Sequence, residues 1–122
     1  MDPTEFIRSN MPFCETLQMT ASHLDAGRVV VHLEWRAELC TANGLMHGGA
    51  VMALADAAGG ACAALNLPDG SIGTSTIESK TNFLGAVREG RTVTATATPL
   101  HTGRSTIVVE TDAASSLWRQ IE

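Results

Sequence analysis

The sequence predicts an α+β fold in which an antiparallel sheet of five to six strands wraps around one long central helix. The first observation behind this is the run from Gly48 to Leu65, GGAVMALADAAGGACAAL, which holds a single charged residue, Asp56. A helix that is apolar on every side is normally buried. The second is strand character on both sides of that run, clearest in the strict alternation of Thr92-Val93-Thr94-Ala95-Thr96-Ala97-Thr98. The third is the order β-β-α-β-β-β, with every connection after the helix of hairpin type.

Residues 3–10 form one short helix, ended before Pro12. The chain then alternates loosely from Leu17 to Leu24, and Asp25-Ala26-Gly27-Arg28 supplies a hairpin turn. Val29 to Trp35 is a strand that starts with three β-branched residues and interleaves polar ones later. A polar connection from Arg36 to Asn43 leads into the glycine-flanked start of the long helix. Asn66-Leu67-Pro68-Asp69-Gly70 stops that helix, with Pro and Gly in turn positions. Ile72 to Leu84 is expected to be a long Ser/Thr-rich strand, followed by a loop from Gly85 to Gly90. After the alternating strand, His101-Thr102-Gly103-Arg104 turns the chain into a fifth strand, Ser105 to Asp112. Leu117 to Ile121 is expected to be a sixth.

At 122 residues the chain is expected to be one domain, residues 1–122, large enough to bury a core without staples. No repeats, linkers or low-complexity segments interrupt it. A formal charge of −5 argues against a nucleic-acid partner, which would need a clustered basic face. Three cysteines, Cys14, Cys40 and Cys62, are odd in number, far apart and free of any CxxC pair. They suit a reducing compartment, and with no secretory signal in MDPTEFIRSNM the expected location is the cytoplasm. No metal-ligand spacing appears among the four histidines and the cysteines, so neither metal nor cofactor is expected. The helical run just reaches membrane-spanning length. Its residues are weakly apolar, however, and an acid at its centre would cost ~2.5–3.5 kcal/mol there. No membrane partner is expected.

Asp56 is the strongest functional candidate. Burying a carboxylate costs several kcal/mol unless it is paired, and alanine would fit the helix better. It is no N-cap, because it lies two turns past the helix start. An acid paired with a Lys or Arg, or one facing water, is the structural alternative.

The stretch Asn43-Gly44-Leu45-Met46-His47-Gly48-Gly49, then Ala55-Asp56, Thr81-Asn82-Phe83-Leu84-Gly85 and Gly103-Arg104-Ser105, resembles the hotdog-fold acyl-CoA thioesterases. The phenylacetate-pathway (PaaI-like) and 4-hydroxybenzoyl-CoA branches are nearest, and the match in order and spacing runs from about Arg28 to Asp112. The resemblance implies a homodimer, assembled further as a dimer of dimers, with active sites at the dimer interface. It implies an acyl-CoA substrate, with coenzyme A as part of the substrate. Asp56 takes the position of the catalytic carboxylate, as nucleophile or general base. Gly48 takes that of the backbone N–H that polarises the thioester carbonyl, and Thr76 that of a hydroxyl orienting the water or the acid. The chain departs from the pattern where Asn or Gln is usual, six residues before His47. Thr41 stands there, with Asn43 two residues later. Gly60 stands where one branch has Thr, and the last strand ends earlier than is usual.

The chemistry suits these residue types. Thioester hydrolysis develops an oxyanion, and the first turn of a helix offers unpaired N–H groups at the positive end of its dipole. Gly48 and Gly49 let a substrate approach the backbone closely. His47 is better suited to fixing the loop than to acting as a base. Gly59 and Gly60 make room for an acyl group or for close helix packing. Arg88, Arg91 and Arg104 lie in or beside loops, where guanidinium groups could meet the phosphates of coenzyme A or simply face solvent. Met46, Met52 and Phe83 are candidates for the acyl pocket, with a core role as the alternative for each. Two rival functions are a hotdog dehydratase or hydratase and a non-catalytic acyl-CoA-binding module. The first needs a His–acid pair that His47 and Asp56 do not align to form. The second has no use for Asp56.

Overall fold

The computed structural model describes residues 2–117. Helix α1 spans Pro3–Asn10, capped by the Asp2 carboxylate, which accepts the Glu5 N–H at 3.0 Å. Pro12 does more than end it. With its fixed φ suited to a first helical position, it opens a second short helix, α2 (Pro12–Thr16), which was not foreseen. Strands β1 (Thr20–Asp25) and β2 (Arg28–Glu34) follow, and their turn is closed by the Asp25 carboxylate accepting the Gly27 and Arg28 N–H groups at 2.9 Å each. Two single 3-10 turns, Ala37–Leu39 and Ala42–Gly44, lead to the long helix α3, Gly48–Ala64. Strands β3 (Arg91–Thr102) and β4 (Ile107–Leu117) complete one antiparallel sheet in the order β1-β2-β3-β4.

The sheet wraps α3, which packs on β2, β3 and β4. Leu54, Ala57, Ala58, Ala61 and Cys62 of the helix are buried against Val29, Val31 and Leu33 of β2 and Val93, Ala95 and Ala97 of β3. Small side chains keep the two layers close, and a Cβ on Gly59 would already touch Thr111 Oγ1 at 3.4 Å. This is the expected hotdog arrangement, with four strands rather than five or six. Among the described residues, no helix is long and apolar enough to cross a membrane.

Two strand expectations need correcting. Residues 72–84 form no strand, although the composition favours one. Ile72, Ile77 and Leu84 are almost fully exposed. Strand propensity reflects the fit of a side chain to a half-buried pleated surface, and in a single chain this segment has no such surface under it. In contrast, β4 does not stop at Asp112. Ala113-Ala114-Ser115-Ser116 is weak strand sequence, but pairing with β3 carries it to Leu117 opposite Arg91. The sixth strand expected at Leu117 to Ile121 falls, beyond Leu117, outside the described residues.

The edge strand β1 is closed by α1. The Thr4 hydroxyl accepts the Ala21 N–H at 2.9 Å and donates to the Ala21 carbonyl at 3.2 Å. Arg8 Nε donates to the Met19 carbonyl at 2.8 Å.

Two glycines are expected to respond oppositely to alanine. A Cβ on Gly103 would sit 2.9 Å from the backbone oxygen of Thr106 in the β3–β4 turn, so Gly103→Ala should cost ~1–3 kcal/mol through overpacking. A Cβ on Gly60 would meet nothing within 4 Å, so Gly60→Ala should stabilise α3 by roughly 1 kcal/mol. Urea melts of the two variants should therefore shift in opposite directions.

His32 in β2 makes stability depend on pH. Burial pushes its pKa below the ordinary value of 6.5. As pH falls below about 6.5, the unfolded chain takes up a proton that the native ring resists, so the native state loses stability. Urea midpoints should drop as pH falls below about 6.5, and His32→Gln should flatten that slope.

Candidate active site

The site is built around the entrance to α3. Trp35, just past β2, donates its indole N–H to the Gly44 carbonyl at 2.9 Å. That bond holds a tight loop in which Asn43 (φ 64°) and Gly44 (φ 70°) are both left-handed, a conformation open to Asn and Gly at little strain. Asn43 thus has a backbone reason for its place. Thr41 is exposed and its N–H donates to the Leu45 carbonyl at 2.8 Å, and neither Thr41 nor Asn43 has a side-chain hydrogen bond among the described residues. The next residues are pinned from two sides, His47 N–H to the Leu39 carbonyl at 2.7 Å and Met46 N–H to the Val87 carbonyl at 2.9 Å.

His47 is the N-cap of α3, and its Nδ1 accepts the Gly49 N–H at 2.7 Å. Its carbonyl accepts the N–H groups of Ala50 and Val51 at 2.9 and 3.3 Å. Among the described residues, no acceptor takes the Gly48 N–H. The imidazole therefore acts as a cap, and the first turn keeps one N–H available at the positive end of the helix. The Phe83 ring lies over this point. A Cβ on Gly48 would be 3.4 Å from its Cζ, and about half of Phe83 is exposed. This contact joins residues 35 positions apart in otherwise irregular chain, where no local pattern signals it.

Asp56 lies two turns further along, and here the expectation of burial is corrected. Asp56 is exposed, on a face of α3 shared with Gly49, Met52 and Ala64. One chain's sheet covers one side of the helix and leaves this side open. The Thr76 hydroxyl donates to Asp56 Oδ1 at 3.0 Å, the one side-chain hydrogen bond to the acid among the described residues. Gly60, one turn beyond Asp56, borders open space. Met46 is a core residue, whereas Met52 and Phe83 are exposed rather than core.

The three arginines are not gathered in one chain. Exposed Arg88 and half-buried Arg91 sit near the start of β3, next to the Val87 carbonyl that anchors Met46. Exposed Arg104 is in the turn after the 12-residue β3, roughly 35–40 Å away along the strand.

The chain and its fold are similar to those of known proteins. The structure is similar to PA5202 from Pseudomonas aeruginosa, at 32% identity and TM-score 0.74, covering 84% of this chain and 80% of that one. It is similar to the thioesterase HI1161 from Haemophilus influenzae at 28% identity and TM-score 0.77, covering 88% and 73%. A mutant of the phenylacetic acid degradation protein PaaI from Thermus thermophilus gives 28% identity and TM-score 0.78, covering 87% and 90%. The curated relative SSO2140 of Saccharolobus solfataricus, provisionally described as an esterase, is 35% identical over 94 residues. That match takes in 77% of this chain and spans 65% of the relative's length. Residues 43–115 match the Thioesterase superfamily profile, a stretch that holds the helix entrance, Asp56 and Thr76, and the chain belongs to the Thioesterase superfamily.

Proposed function

We propose that the protein hydrolyses an acyl-CoA thioester, with an aryl or short-to-medium acyl group, to the free acid and coenzyme A. The observation that carries this reading is the hydrogen bond from Thr76 to Asp56 on an exposed and otherwise uncharged helix face. A hydroxyl donating to one carboxylate oxygen holds the ionised acid in place and leaves Oδ2 available. Oδ2 then attacks the thioester carbon or takes a proton from the water that does. The Gly48 N–H stabilises the developing oxyanion and the thiolate of coenzyme A leaves. Where Asp56 acts as base, the proton it took from water passes to the thiolate; where it acts as nucleophile, a water then cleaves the acyl-Asp56 anhydride, which frees the acid, restores the carboxylate and supplies the thiolate's proton. Gly49 lets the substrate approach, Gly60 and Phe83 border the acyl group, and Thr41 or Asn43 takes the part of the usual carbonyl clamp. Arg88, Arg91 and Arg104 offer guanidinium groups to the nucleotide phosphates.

One chain does not complete this site. Gly48 and Asp56 are eight residues apart on one helix, about 12 Å along its axis. Attack needs about 3–3.5 Å. The carboxylate facing a carbonyl held at Gly48 therefore comes from a second copy, in a two-fold homodimer with antiparallel α3 helices. The open apolar face of α3, with Met52 beside Asp56, is the surface such a copy would cover. Incubation with benzoyl-, phenylacetyl- and hexanoyl-CoA should release free thiol from at least one of them. If the protein binds these compounds and releases no thiol, it is a binding module.

A further inference from the structure

We propose a second reactive centre on the outer face of the sheet, in which Ser22 is a nucleophile acylated by small activated acyl donors, His32 is its general base and Thr94 positions the ring. The three residues come from three adjacent strands, with Ser22 and Thr94 lying 10 and 62 residues from His32 in sequence. His32 Nε2 is 2.8 Å from Ser22 Oγ, and Nδ1 is 2.9 Å from Thr94 Oγ1. Both separations are within the reach needed for a nucleophile bound to a base whose other nitrogen is held by a third group.

The backbone contributes to this arrangement. In β1, Ala21 pairs with Val31 and His23 with Val30, so Ser22 is the extra residue of a β-bulge with no opposite number on β2. Bulges re-aim side chains, and this one directs an exposed hydroxyl at the half-buried ring of the neighbouring strand. A neutral imidazole donates from one nitrogen and accepts at the other. With Nδ1–H donating to Thr94 Oγ1, the Nε2 lone pair faces the Ser22 hydroxyl. Burial, which holds the ring neutral, keeps that lone pair available near pH 7.

With p-nitrophenyl acetate as donor, Ser22 Oγ forms a bond to the acetyl carbon while its proton passes to His32 Nε2. The bond from that carbon to the p-nitrophenolate oxygen breaks, and the proton then leaves His32 for the released phenolate. The products are acetyl-Ser22 and p-nitrophenol. The centre is independent of Asp56 and of the thioesterase reading.

The test is peptide mapping by mass spectrometry after brief exposure of the intact protein to p-nitrophenyl acetate, with a fluorophosphonate as a second probe. One acetyl group is expected on Ser22, and none at that position in Ser22→Ala, whose exposed site at a bulge should leave folding intact. His32→Gln should slow labelling by about a hundredfold or more, the usual contribution of a positioned base. Thr94→Val should slow it and Thr94→Ser restore it, which a merely structural role would not do. Asp56→Asn should label Ser22 at the wild-type rate. Absence of label on Ser22, or equal rates in wild type and in folded His32→Gln or Thr94→Val, would overturn the proposal.

Discussion

Replacing Asp56 with asparagine is expected to lower kcat/KM for the preferred acyl-CoA by roughly 10²–10⁴, the range for loss of a positioned acid or base. The side chain is exposed and its one hydrogen-bond partner among the described residues is Thr76, so unfolding free energy should change by no more than about 0.5 kcal/mol. Thr76→Val removes the donor but keeps the shape, and should lose activity by a smaller factor in the same direction. Activity of Asp56→Asn within about tenfold of wild type, a barrier change of ~1.4 kcal/mol, would reject the catalytic role. Thiol release and urea melts on the same preparations separate chemistry from folding.

Mixing two inactive variants is expected to restore about a quarter of wild-type activity. Gly48→Pro removes the N–H at the helix entrance. The structure suits this change, because His47 has the extended conformation (φ −62°, ψ 134°) favoured before proline, and a Cβ at 48 would make ordinary contact with Phe83. Asp56→Ala removes the acid. In a refolded equimolar mixture half the dimers are mixed, and each mixed dimer has one site with both groups and one with neither. Mixed dimers that form, as seen by native mass spectrometry with one variant isotopically labelled, yet show no activity would reject the shared site.

The helix was legible because its signals are local. An apolar run opened by His47-Gly48-Gly49 and ended at Asn66 to Gly70 corresponds to α3 within a residue or so. The hairpin at Asp25 to Arg28 and the alternating threonines of β3 were legible for the same reason. What escaped depends on partners outside the segment. Residues 72–84 have strand composition but no surface to lie on in one chain, and Ala113 to Ser116 have weak composition but a strong neighbour in β3. The exposure of Asp56 escaped too, because uniform apolarity around α3 reports that every face is to be covered, without saying by which chain. The link from Thr76 to Asp56 was anticipated through family resemblance. The Phe83 ring over Gly48 was expected merely as pocket or core, since the contact forms across irregular chain.

The hydroxyl of Thr4 has a wider bearing on how this protein behaves at high concentration. A sheet with two open edges can add copies on either side without end, the route to fibres and precipitates. Here both hydrogen-bonding groups of Ala21 are occupied by Thr4 on one side, while among the described residues β4 pairs with β3 alone on the other. A new strand is then met by fewer free backbone groups at β1 than at β4, and a two-fold union through an open edge would use that edge up in both partners. Thr4 therefore denies the outward backbone groups of Ala21 to an incoming strand, which disfavours sheet extension through that part of β1.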